Sequence, residues 1–167
     1  MPATCIQKED RMPKQKLKDF LDSEGVKYVS IVHSPAFTAQ EVAASAHIPG
    51  RILAKTVMVR IDGQLSMAVV PASFSVDFDL LQGALGADKV TLAHEEDFED
   101  RFPDCELGAM PPFGNLYGMP VYVSRSLAEN DEIAFNACSH RELLKMAYKD
   151  FVKLVDPKVI TFSVHAD

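Results

Sequence analysis

Three stretches of the chain carry residues suited to chemistry. In "LAKTVMV", strand alternation places Lys55 with Val57 and Val59 on one face, and Ala54, Thr56 and Met58 on the other. A cation beside two valines needs water or a partner for its ammonium. It fits a strand-end lysine that reaches solvent along its stem. It equally fits an ammonium aimed into a cleft, where it binds a phosphate or an ester oxygen. The second stretch, "GAMPPFGNLYG", runs from Gly108 to Gly118. Pro111 and Pro112 fix φ and have no N–H, while Gly108 lets another group approach the backbone closely. The loop reads either as a rigid connection between core elements or as stiffly held N–H groups, around Gly108 and Ala109, aimed at a carbonyl oxygen or a water. Met110 and Phe113 would then wall a small pocket, with Pro111 and Pro112 among the substrate contacts. In the third, "FNACSHREL", Asn136 ends a strand and His140 follows in a turn. His140 is an exposed turn histidine, or a pocket wall or proton handler whose free pKa lies near neutrality.

These residues need a scaffold, and the sequence supplies one. Pro13 opens a helix with Leu17, Phe20 and Leu21 on one face and Gly25 as its stop. "KYVSIVH" alternates as a strand. Thr38, with Glu41 three residues on, starts a short helix in "TAQEVAASA" through a capping box. Asp62-Gly63 folds "LAKTVMVRIDGQLSMAVVP" into a hairpin. "SVDFDLLQGALG" reads as a helix stopped at Gly86, "KVTLA" as a short strand, and "EEDFEDRF" as a helix halted before Pro103. "MPVYVS" and "EIAFNAC" are strands flanking a turn, "YKDFVKLV" is a helix and "KVITFSV" a closing strand. The expected class is mixed α/β (α+β) with a mixed, mostly antiparallel sheet and no regular βαβ array. Residues 1–12 read as a loose tail and 13–167 as one domain.

Composition narrows the function classes. The 167 residues are 47% apolar and 25% charged, ordinary for a globular protein. No apolar run approaches the ~20 residues of a membrane span, and the polar start lacks the apolar core of a signal peptide. A cytoplasmic protein is expected. Cys5, Cys105 and Cys138 form neither a disulfide framework nor a CxxC pair. No P-loop, GxGxxG, GxSxG or HExxH is present, and the five histidines share no ligand spacing, so neither metal nor cofactor is expected. The net charge of −7 argues against bulk nucleic-acid binding. It is unevenly spread: residues 1–60 carry +3, 61–137 carry −11 and 138–167 carry +1. "HEEDFED" is a solvated acidic helix face, and a polyanion would have to touch the terminal thirds, with Lys14, Lys16, Lys18, Arg51, Lys145 and Lys149 as its contacts.

"HSPAFTAQEVA", "LAKTVMV", "VVPA", "GAMPPFG" and "FNACSHREL" occur in this order at spacings that resemble the YbaK/EbsC family, free-standing editing domains related to the insertion domain of bacterial prolyl-tRNA synthetase. The resemblance covers roughly residues 14–156. It implies a single domain around a curved sheet and hydrolysis of mischarged aminoacyl-tRNA, with an aminoacyl-tRNA synthetase as a further partner. By the same resemblance Lys55 matches the family's strand lysine, Gly108 and Pro112 its GxxxP loop, and His140 the histidine after its "NAGS" segment. His33, Phe37 and Thr38 match its "H…FT" start. Cys138 stands where the family more often has glycine. The implied mechanism orients a water, binds the oxyanion on N–H groups near Gly108 and Ala109, and holds the terminal adenosine with Lys55, aided by the adenosine's vicinal hydroxyl. Phe37, Met110 and His140 would select by size, for Ala, Ser, Thr, Cys or another side chain. Two other readings remain: a non-catalytic tRNA- or ligand-binding module using the same cleft, and an unrelated small-molecule hydrolase.

Overall fold

A computed structural model describes residues 13–103 and 105–165; the expected tail over residues 1–12 lies outside them. Helix α1 (Pro13–Ser23) begins at proline and buries Leu17 and Leu21. Strand β1 (Tyr28–Val32) leads to α2 (Ala39–Ala46). The expected capping box is present: Thr38 Oγ1 accepts from the Glu41 N–H at 3.1 Å, and the Thr38 N–H donates to Glu41 Oε1 at 3.3 Å. The hairpin of β2 (Leu53–Ile61) and β3 (Gln64–Pro71) turns at Asp62 and Gly63. Both take positive φ, 50° and 85°, as a type I′ turn requires. Then come β4 (Phe74–Val76), α3 (Phe78–Leu85), β5 (Val90–Leu92) and α4 (Glu95–Phe98). Asp77 caps α3 and Gly86 closes it in the left-handed conformation.

The second half differs from the sequence reading in two places. Between β6 (Val121–Ser124) and β7 (Glu132–Asn136) lies a one-turn helix, α5 (Arg125–Ala128), and the two strands are not neighbours. Strand β8 (Glu142–Ala147) pairs antiparallel with β7 and runs directly into α6 (Tyr148–Val155). The closing "KVITFSV" is two strands, β9 (Lys158–Ile160) and β10 (Ser163–His165), in different sheets. Phe162, fully buried between them, accepts the Asp77 N–H on its carbonyl and turns the chain from one sheet to the other.

The main sheet has the order β1-β8-β7-β2-β3-β6-β9, with β5 added to the far end of β2. Pairings β2–β7, β3–β6 and β6–β9 are parallel and the others antiparallel. Residues on alternate sides of the strands join separate apolar clusters. Ala54, Met58, Phe135 and Leu144 pack with α1 and α6, whereas Val59 and Val70 pack against Leu81 of α3. Leu53, Ala134 and Leu143 pack under α2. Among the described residues no helix is long and apolar enough to cross a membrane.

Candidate active site

A cleft of about 420 Å³ opens where β2 and β7 run side by side below the start of α2. Its lining includes Phe37, Thr38, Lys55, Gly108 and Asn136, contributed by distant stretches of chain. The parallel register Leu53↔Ala134 and Ala54↔Phe135 carries Lys55 alongside Asn136 at the ends of their strands. Alternation puts Lys55 on the face of Val57 and Val59, as the sequence indicates. Its half-buried ammonium donates to the Phe74 carbonyl at 2.6 Å. Burial lowers its pKa from the ordinary 10.5. An ammonium has three donors, so the two beyond Phe74 are available to a substrate. Thr56 and Ala72 also line the cleft, as do Ala39 and Gln40. The last two open α2, where N–H groups have no intrahelical acceptor. Two buried atoms beside Lys55 have no protein partner, Thr56 Oγ1 and Asn136 Oδ1.

The glycine–proline loop is anchored in the core. Phe113 is fully buried against Phe20, Phe135 and Phe151, with ring centroids 6.3, 5.2 and 5.5 Å away. Gly114 follows because a Cβ there would lie 2.3 Å from the Met119 carbonyl oxygen. Gly108, at φ +86°, remains exposed at the cleft. Three expectations for this loop are corrected. Met110, 5% exposed, and Phe113 pack in the core and do not wall the pocket, because the loop needs apolar ballast to stay down. Pro111 and Pro112, expected among the substrate contacts, are buried and do not line the cleft; they stiffen the loop from below. The Ala109 N–H is taken up by the Glu106 carbonyl at 3.0 Å, which closes a tight turn. Of the two candidate N–H groups, that of Gly108 keeps no acceptor among the described residues.

His140 lies at the rim. Its ring sits 4.8 Å from that of Phe37, which is 71% exposed, and its Nε2 is 2.8 Å from the Leu107 carbonyl. A carbonyl only accepts, so Nε2 carries the proton. The turn before it uses Cys138 at φ 65°, the conformation a glycine would favour there. His33 is buried away from the cleft, its N–H on the Arg141 carbonyl and its Nδ1 2.7 Å from the Ser34 carbonyl. Sequence reasoning missed Thr56 and Glu106. The side chain of Glu106 accepts the His140 backbone N–H at 2.9 Å. Its signal, a lone acid beside an acidic run, was indistinguishable from a solvated charge.

Hydrogen bonding to Cys138, with burial, pushes the Cys105 thiol up; burial, with Cys138 beside it, pushes the Tyr117 hydroxyl up. Thiols held neutral are poor nucleophiles. No carboxylate, imidazole or thiol lines the cleft, and among the described residues no three His, Cys, Asp or Glu side chains could hold a metal ion.

Comparison with known proteins identifies the family and the fold. The family model of the aminoacyl-tRNA editing domain matches residues 33–154. A multifunctional Ser/Thr-tRNA deacylase, ProXp-y, from Escherichia coli K12 is 26% identical over 156 residues, covering 89% of this chain and 91% of that protein. Two crystal structures share the fold. One, of a hypothetical protein designated APE2540, has a TM-score of 0.79 at 18% identity, covering 89% of this chain and 99% of that one. The other, described as a candidate trans-editing enzyme for prolyl tRNA synthetase, has a TM-score of 0.77 at 17% identity, covering 91% and 97%.

Proposed function

The chain belongs to the aminoacyl-tRNA editing domain family, and from that premise we propose that it is a deacylase, hydrolysing the ester between a wrongly attached amino acid and the tRNA 3′ end, with residues 13–167 acting as one editing unit. The observation that carries this reading is the shared cleft of Lys55 and Gly108, a cation and a free backbone N–H brought together from separate halves of the chain. An aminoacyl ester is already activated, so a positioned water suffices as nucleophile. As the water oxygen bonds to the carbonyl carbon, the carbonyl oxygen gains charge, and the Gly108 N–H receives it. The water's proton passes to the departing ribose oxygen, helped by the vicinal hydroxyl of the adenosine. Lys55 and the first N–H groups of α2 hold the 3′-terminal phosphate or sugar, since a helix N-terminus favours an anion. No metal takes part in this scheme.

The unpaired Thr56 Oγ1 and Asn136 Oδ1 favour a substrate that brings hydrogen-bond donors. An α-ammonium and a side-chain hydroxyl are such donors, which agrees with the Ser/Thr activity in the relative's name. Phe37 and His140 set the size limit at the rim. Editing answers a real need, because a methylene difference supports only ~10–200-fold discrimination in a synthetase pocket; a synthetase is a fitting partner. A panel of tRNAs charged with Ala, Ser, Thr and Cys tests the proposal. Serine and threonine esters are expected to be cleared fastest, and Lys55→Ala to lower kcat/KM by ~10²–10³ with an unchanged circular dichroism spectrum. Hydrolysis no faster than the spontaneous rate across the panel would refute it.

A further inference from the structure

We propose that Glu106 is a positioning residue of this site: it fixes His140, and through His140 the Leu107–Gly108 peptide, so that the Gly108 N–H is directed into the cleft. The inference rests on the deacylase reading. Glu106 is exposed, so burial does not explain its contacts. Its side-chain Oε2 accepts the His140 N–H at 2.9 Å, and its backbone N–H donates to the Cys138 carbonyl at 3.0 Å. Cys138 in turn donates to the Ala109 carbonyl at 3.0 Å. Two loops distant in sequence are thereby stitched together at Glu106, with a charge-assisted bond at the end nearest the ring.

The ring then acts on the next peptide. His140 Nε2–H donates to the Leu107 oxygen at 2.8 Å. In a trans peptide the C=O and the following N–H point in opposite directions within one plane. Bonding the Leu107 oxygen to the ring therefore turns the Gly108 N–H away from it. A Cβ at Gly108 would lie 3.4 Å from His140 Cε1, so the ring packs directly on this residue. His140 holds the site's geometry through Nε2 and does not take a proton there.

Resonance assignments and turnover together test the assignment. In Glu106→Ala, the Gly108 amide and the His140 ring ¹⁵N signals are expected to shift, and kcat for the best seryl or threonyl ester to fall about tenfold, short of the ~100-fold loss of a whole oxyanion donor. KM and the melting temperature are expected to stay close to wild type, since a transition-state contact is what is lost. Glu106→Gln keeps an acceptor oxygen and is expected to restore the resonances and most of the rate. An unmoved Gly108 amide in Glu106→Ala overturns the clamp whatever the activity. Shifted resonances with undiminished kcat overturn the role in turnover, as does equal loss in both variants. If the wild-type protein hydrolyses no ester, the deacylase reading fails and the positioning role falls with it, while the resonances still report whether the clamp exists.

Discussion

Gly108 and Lys55 face the same cleft but make opposite demands on the chain. At Gly108 a side chain would be forced to φ +86° against the His140 ring. Such strain costs roughly 1–2 kcal/mol, small beside the ~5–15 kcal/mol of a typical domain. Gly108→Val is therefore expected to remain folded yet lose most of its deacylation. Calorimetry and turnover on one preparation check this; activity that falls only with the folded fraction would reduce the loop to a connector. Lys55 is half-buried, and desolvation lowers its pKa from 10.5. Its charge, and with it the grip on an anionic substrate, is complete at low pH and is lost as pH rises through a value below 10.5. Stability runs the other way. The folded state holds this proton less firmly than the unfolded chain, so the cost of burying the charge is relieved as pH climbs toward 10.5. Binding of an unreactive amide-linked aminoacyl-adenosine should show this alkaline limb in wild type and lose it in Lys55→Arg, whose guanidinium stays charged. The same limb in both proteins would assign it to another group.

The elements explain why the loop stays in place. Phe113 buries its whole side chain among three other phenylalanines. Phe113→Ala is expected to cost ~3–5 kcal/mol and, by loosening the segment that presents Gly108, to lower kcat in the molecules that remain folded. Urea unfolding alongside single-turnover rates measures both; unaltered turnover in the folded fraction would separate anchor from site. Where a signal is local, the sequence shows it. The Thr38–Glu41 box, the Asp62-Gly63 turn and the Gly86 stop depend on residues within a few positions of one another, and each is found as read. The fate of Met110 and Phe113 was not legible, since an apolar loop residue has no periodicity to tell core from cleft. The split of "KVITFSV" depends on what Phe162 meets across the fold, and the occupied Ala109 N–H depends on a turn to Glu106. Lys55, Gly108 and Asn136 were found because their types are unusual for their settings. Thr56 and Glu106 are ordinary residues, distinguished only by their tertiary setting: a buried hydroxyl without a protein partner in one, a bond to the His140 N–H in the other.

At the scale of the whole molecule, the proposed function makes charge the determinant of how tRNA is held. Of the expected contacts, Lys18 is 2.7 Å from Glu142, and Lys16 Nζ sits 5.0 Å from the centroid of the Tyr117 ring. The Lys14 side chain lies outside those described. Lys145 and Lys149 line a groove with Lys27 and Lys153 at the other end of β7, though Glu24, Glu132 and Asp150 share it. So few free cations neutralise about three phosphates, and the logarithmic salt slope should be near −3. Reversing Lys149 should weaken binding more than reversing Lys18; a slope twice as steep, or indifference to both changes, would move the RNA surface elsewhere. The parallel pairing of Ala54 with Phe135 has a temporal consequence. It joins strands about eighty residues apart, a loop whose closure costs entropy before any contact repays it. As the chain is synthesised, the β2–β3 hairpin can zip on its own. Lys55 then waits, with neither Asn136 nor Gly108 beside it, until β7 docks. On the proposed function, a nascent chain that has not yet reached Asn136 lacks the pairing that completes the cleft, and the hydrolytic site is assembled only with the second half of the chain.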